Sequence, residues 1–228
     1  MKRAGVRDPR ARETAVRAAF GLVAIALLGV GLGRLVTGPL AHVVARDLDA
    51  PARRFSVAHG GPPWHRLLSD VSDLGTATVT GVLAVVGGAL VAVRRRAPVL
   101  VAQAVAAFAG AALLTVTVKI GVHRYPASGV VPDLTSGTFP SGHALFAATV
   151  YGTFAVFVAR SAARVVVRVT GAAAFVVLAL LVGWTRVYLL DHYLSDVVGS
   201  VVLGALWVAV VATAADHISR AHGDEHIL

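Results

Sequence analysis

The chain has 228 residues, of which 57% are hydrophobic and 14% charged, with a formal net charge of +9 and no cysteine; its mean hydropathy is +0.75. That is more apolar surface than a water-soluble domain of this length can bury, so most of it must face lipid. The missing cysteines exclude disulfides, thiolate catalysis and cysteine-ligated metal. The arginines sit in clusters between apolar runs, which is membrane topology and not a nucleic-acid-binding face.

Six apolar stretches are long enough to cross a bilayer as helix, approximately 18–35, 74–93, 98–118, 142–159, 170–187 and 194–214. They predict an all-α, polytopic membrane protein forming one domain over residues 1–228, with no repeat, low-complexity linker or second domain. A basic head with Lys2, Arg3, Arg7, Arg10, Arg12 and Arg17 precedes the first stretch, and the pattern reads as a retained signal anchor with no convincing small-x-small cleavage site after it. A long loop is expected near residues 37–73, a tight basic turn at Arg94-Arg95-Arg96, and a loop from Lys119 to Ser141. A second basic turn carries Arg160, Arg164 and Arg168, and a very short link runs from Tyr188 to Tyr193.

If six helices alternate, the basic head, both basic turns and the tail with Arg220 fall on one side, which the positive-inside rule makes cytoplasmic. Both termini are then cytoplasmic. The first outer loop runs partly against the rule, with Arg46, Arg53, Arg54 and Arg66 offset in part by Asp47, Asp49, Asp70 and Asp73. In this topology Lys119, Arg124, Ser141, His143, Arg186, His192 and Asp196 all reach the extracytoplasmic face. Composition alone does not require that convergence, and it argues for one site facing outward.

Phe139-Pro140-Ser141-Gly142-His143 lies where a loop becomes a helix, with Pro140 suited to the first turn. Free backbone N–H groups and the positive end of the helix dipole can cradle a phosphate there. Gly142 permits close approach, Ser141 offers a hydroxyl donor, and His143 is placed for a general acid. Taken alone, the motif reads more readily as an N-cap serine followed by an interfacial histidine. His192 and Asp196 are four apart, so on a helix they share a face, and Asp196 can hold one imidazole nitrogen while the other acts as nucleophile. Arg186 can offer a planar fork to phosphate oxygens. A helix-capping His/Asp pair with a snorkelling arginine, or a metal site, is the alternative. Two histidines, an aspartate and cations without cysteine are what phosphoryl transfer through a phosphohistidine needs.

Lys119…Arg124-Tyr125-Pro126, Pro140-Ser141-Gly142-His143 and Thr185-Arg186-x5-His192-x3-Asp196 together resemble the three-part signature of the type 2 phosphatidic acid phosphatase superfamily, integral membrane lipid phosphatases. The resemblance covers residues 119–196, and the six-helix layout extends it over nearly the whole chain. It implies that His192 attacks phosphorus, Asp196 orients it, and His143 protonates the leaving oxygen and later activates water. It implies also that Lys119, Arg186, Ser141 and Gly142 hold the phosphate, with no metal and no other cofactor. The usual first signature is Lys-x6-Arg-Pro, whereas here Pro126 stands seven residues after Lys119 and the available arginine is Arg124, five residues on. Either Arg124 takes over that phosphate contact or the pocket has one cation fewer. Thr185 replaces the frequent serine and keeps the hydroxyl.

The function so implied is hydrolysis of a lipid phosphate or pyrophosphate, such as isoprenyl (pyro)phosphate, phosphatidylglycerophosphate or phosphatidic acid, at the outer leaflet of a bacterial plasma membrane. A phosphotransferase or sugar-lipid phosphate phosphatase of the same fold, and a non-enzymatic transporter or scaffold with a decayed site, are the other readings. The partners expected are a lipid phosphate and the surrounding lipids. Trp184, Tyr188 and Trp207 read as interfacial anchors or packing residues, and Gly29, Gly31 and Gly33 as close helix contacts. His217, His222 and His226 read as solvated. Asp70 and Asp73 are candidates to approach the site from the first loop.

Overall fold

A computed structural model of the chain describes residues 9–124 and 137–221. Lys2, Arg3, Arg7, Tyr125, Pro126, His222 and His226 therefore lie outside the described residues. Within them the protein is all helix: α1 (Pro9–Thr37), α2 (Ala41–Val44), a π-helical turn (Ala45–Asp49), α3 (Ala50–His59), α4 (Pro62–Asp73) and α5 (Ala77–Val82) come first. A second π turn (Leu83–Gly87) joins α5 to α6 (Gly88–Arg95), and α7 (Val99–Val122), α8 (Gly142–Ala159), α9 (Val165–Tyr188) and α10 (Leu194–Ala221) follow.

Six helical spans are long and apolar enough to cross a membrane: Arg12–Thr37, Trp64–Arg95, Val99–Val122, Gly142–Ala159, Val165–Tyr188 and Leu194–Arg220. Each overlaps one of the six stretches read from the sequence, the second beginning ten residues earlier at Trp64, because an uninterrupted apolar run of this length has no other stable way to satisfy its backbone in lipid. Two connecting regions differ from expectation. Residues 37–73 are not a loop; they fold as α2, α3 and α4, with prolines in the first turn of α3 and of α4, where the missing N–H costs nothing. Their charges interrupt the apolar pattern and hide the helices from a hydropathy reading. Likewise α7 continues past Lys119 to Val122, so Lys119 projects from helix and not from loop.

The central span is α8, more than half buried, while α1 and α9 are the least buried. It packs on α7, α9 and α10, and α1 lies across α7 and α10. Ile25, Ala107, Ala111, Leu114, Leu145, Leu203, Trp207 and Val211 form the main core cluster. Without a strong hydrophobic drive between helices in lipid, close backbone approach does much of the holding. A Cβ on Gly110 would stand 2.1 Å from the Trp207 ring, so the indole lies directly on the α7 backbone and donates to the carbonyls of Ala106 and Ala107 at 3.2 Å. Gly29 meets Val118 and Leu203, and Gly33 meets Val122 and Phe139, whereas Gly31 faces open space. Large side chains such as Phe20, Leu27, Val93 and Val166 are exposed on the outer surface, as a lipid-facing perimeter requires.

Candidate active site

Four helix ends meet at one end of the bundle: the C-terminal parts of α7 and α9 and the N-termini of α8 and α10. Each delivers a residue singled out by the sequence. Ser141 is the N-cap of α8, in extended conformation, and Gly142 and His143 are the first helical residues. Pro140 therefore precedes the cap and is not in the first turn. The hydroxyl of Ser141 makes no capping hydrogen bond; it is fully buried and has no partner. An ordinary N-cap serine spends its oxygen on the helix, so the capping interpretation does not fit this one. Its carbonyl is fixed instead, accepting from Ser200 Oγ of α10 at 3.0 Å, and the same hydroxyl also reaches the carbonyl of Asp196 at 2.7 Å.

The link between α9 and α10 is a tight C-terminal motif. Leu190, in the left-handed region at φ 64°, donates to Val187 O, and Asp191 donates to Arg186 O, both at 3.1 Å. This is the pair of bonds of a Schellman turn, usually built on glycine. His192 N–H shares the Arg186 carbonyl at 3.1 Å, which fixes the histidine backbone to the arginine backbone. His192 thus stands in the turn before α10 and not on its face, which corrects the helical pairing expected from the spacing. Proximity survives all the same: His192 Nδ1 is 3.5 Å from Asp196 Oδ2, with Asp196 fully buried. Asp196, third residue of α10, uses Oδ2 also to accept from Tyr193 N–H at 3.0 Å. That is the backward half of a capping box, which fixes the carboxylate rotamer.

Arg186 pairs with Asp191 at 2.9 Å and donates to Ser72 Oγ at 2.7 Å. Its Nε is buried without a partner. Arg186, His192, Asp191 and Asp73 lie within electrostatic range of His143, so of the two first-segment acids considered from sequence, Asp73 does reach the site's surroundings. Lys119 donates to the carbonyl of Gly137 and lies within electrostatic range of Asp196. Thr185 is buried with its hydroxyl on Val182 O at 2.7 Å, facing its own helix.

Arg124 is held by carboxylates on two sides. Its Nη1 donates to Asp196 Oδ1 and, at 2.7 Å, to Ser195 Oγ. Nη2 donates to Asp49 Oδ2 at 2.9 Å, and the guanidinium lies 4.2 Å over the Tyr193 ring. Both terminal nitrogens are thus occupied by carboxylates. Asp49, Ser195, Ser200, Ser72 and Asp191 are site residues that the sequence reading did not single out. Among the described residues, no group of three or more His, Asp or Glu is placed to hold a metal ion.

A six-span helical bundle that gathers an orphaned serine, two histidines, a buried aspartate and convergent cations at one end has the architecture of an integral membrane phosphatase. The model of the PAP2 superfamily matches residues 100–218, and the chain belongs to that superfamily. Its fold matches the crystal structure of a transmembrane PAP2-type phosphatidylglycerolphosphate phosphatase from Bacillus subtilis, with a TM-score of 0.71 and 25% sequence identity over 88% of this chain and 98% of the other. No curated protein sequence matches the chain significantly.

Proposed function

We propose that the protein, acting as a single membrane domain over residues 1–228, hydrolyses a lipid phosphate or pyrophosphate through a phosphohistidine intermediate. The observation that carries this reading is the set of orphaned polar atoms. Of the five buried side-chain atoms without a partner among the described residues, three are donors of Thr138, Ser141 and Arg186, while a fourth, His192 Nδ1, faces Asp196 at 3.5 Å. Buried donors without partners such as these three are rare unless a ligand satisfies them; an oxyanion with several acceptor oxygens is the matching chemistry.

In this scheme His192 holds its proton on Nδ1 toward Asp196 and attacks phosphorus through Nε2. The N–P bond forms as the bond from phosphorus to the leaving oxygen breaks, and His143 gives that oxygen a proton. Water then attacks phosphorus while His143 takes a proton from it, the N–P bond breaks, and inorganic phosphate leaves. Arg186, Lys119, Ser141 and the backbone at Gly142 stabilise the charge on the equatorial oxygens, with the α8 dipole aimed at the same point. The basic end of the bundle, with Arg94, Arg95, Arg96, Arg160 and Arg164, lies opposite the site; the positive-inside rule therefore supports an active site at the extracytoplasmic face. The similar fold of the Bacillus subtilis protein supports phosphatidylglycerophosphate as one substrate to test first, beside phosphatidic acid and isoprenyl phosphates.

The test is phosphate release from this panel by detergent-purified wild type and His192→Ala. Hydrolysis by the wild type, unaffected by chelators and lost in His192→Ala, is expected. Transfer of phosphate to an acceptor without net release, or no turnover on any lipid phosphate, would overturn the hydrolase reading.

A further inference from the structure

The Asp49 side chain is nearly fully buried yet comes from the polar segment between the first two spans. It ends the π turn Ala45–Asp49, and π turns inserted in α-helices re-aim a side chain and recur at functional sites. Here the turn points Asp49 at the start of α10. Oδ1 accepts from Ser195 N–H at 2.9 Å, and Oδ2 accepts from Ser195 Oγ and from Arg124 Nη2, each at 2.9 Å. Arg124 then bridges to Asp196, the residue beside His192. A carboxylate–guanidinium–carboxylate chain thus runs from the first inter-span segment to the imidazole.

We propose that Asp49 is a positioning residue for phosphoryl transfer, acting through Arg124 on Asp196 and His192. The inference rests on the phosphohistidine reading above. Its logic is electrostatic. As Nε2 of His192 bonds to phosphorus, the imidazole ring gains positive charge, which a carboxylate at Nδ1 stabilises. Arg124 alone would neutralise Asp196 and cancel much of that help. With Asp49 as its second carboxylate, Arg124 is already balanced, so it can lock the Asp196 rotamer without consuming the charge that faces His192. Arg124 in this role is a strut behind the nucleophile, in place of the first-motif phosphate contact considered from sequence.

Asp49 also satisfies a free N–H of the first turn of α10, a purely structural service. Asp49→Asn separates the two roles, because the amide oxygen can keep the bond to Ser195 N–H while the charge is lost. With phosphatidic acid in mixed micelles as substrate, Asp49→Asn is expected to lower kcat about 10-fold with KM and inhibition by orthovanadate within twofold of wild type. The double variant Asp49→Asn/Arg124→Gln should be no slower than the slower single variant, since both changes break one chain. If Asp49→Asn fails to fold, Arg124→Gln alone decides: a loss in kcat with unchanged vanadate inhibition supports the strut. Weakened vanadate inhibition in Arg124→Gln would make Arg124 a phosphate ligand and overturn the proposal, as would multiplicative losses in the double variant. Full kcat in Asp49→Asn beside an inactive His192→Ala overturns the role of Asp49 alone, whereas an active His192→Ala overturns both this inference and the phosphohistidine reading.

Discussion

Nδ1 of His192 lies 3.5 Å from Oδ2 of Asp196 although the two residues do not share a helix. The distance is that of an ion pair and is longer than a good hydrogen bond; on the proposed mechanism it shortens as the ring gains charge. The Tyr193 N–H and the Arg124 guanidinium hold the carboxylate from two other directions, so Asp196 can move little and the imidazole must come to it.

Asp196→Asn should therefore retain the fold and lose roughly 10²-fold or more in kcat, since an amide can neither select the Nδ1–H tautomer nor stabilise the charged ring. His143→Ala should be impaired more on an alkyl lipid phosphate than on p-nitrophenyl phosphate, whose leaving group needs no proton. Steady-state rates on both substrates check this. Equal losses on the two would remove His143 from the role of acid.

The ion pair between Arg186 and Asp191 predicts a competition. Asp191 is 47% exposed on its side chain and Arg186 is 16% exposed, with 2.9 Å between them, so under the proposed mechanism a substrate phosphate shares or displaces the carboxylate to engage the guanidinium fork. A half-exposed pair is worth about 0–1 kcal/mol. Asp191→Asn should lower KM by up to about 5-fold with kcat within twofold, read from saturation curves. A rise in KM would mean that Asp191 orients Arg186 for the phosphate.

The topology has its own test. Reporter fusions after Arg96 and Arg164 should read cytoplasmic, and a fusion near Ser128 extracytoplasmic, because the arginine-rich turns and the site lie at opposite ends of the six spans. An extracytoplasmic signal at Arg96 would place the active site on the cytoplasmic leaflet.

What could be read from sequence follows from the range of the interaction. The six spans were legible because a membrane imposes length and apolarity on every one of them. Ser141, His143, Arg186, His192 and Asp196 could be singled out as candidates by residue type and spacing, and the structure gathers them at one end of the bundle. Asp49 was not: its partner Ser195 is 146 residues away, and its own helix is broken up by charges that resemble a loop. Nor did any glycine mark the turn at Leu190, where leucine occupies the left-handed position, so the Schellman geometry that sets His192 off the helix had no signal. Arg124 shows the same limit. Its two carboxylate partners, Asp49 and Asp196, lie 75 and 72 residues away in sequence, so spacing could not show them.

Gly75 brings the polypeptide backbone close to His143. It lies in the turn between α4 and α5, against the first turn of α8, and a Cβ there would stand 2.5 Å from Val182 Cγ1, 3.0 Å from the carbonyl oxygen of His143 and 3.2 Å from His143 Cβ. Val182 is fully buried and cannot swing aside freely, so Gly75→Ala must be relieved by moving the α4–α5 turn or the start of α8. Overpacking of this kind costs about 1–3 kcal/mol. Under the proposed mechanism, strain that displaces His143 by even a fraction of an ångström takes its proton away from the leaving oxygen. Gly75→Ala should accordingly lower kcat by about 10-fold on alkyl lipid phosphates, with a smaller effect on p-nitrophenyl phosphate and a Tm in detergent only a few degrees down. The contrast between the two substrates separates displacement of the acid from general destabilisation. An unaltered kcat would show that the turn, and not α8, absorbs the added methyl group.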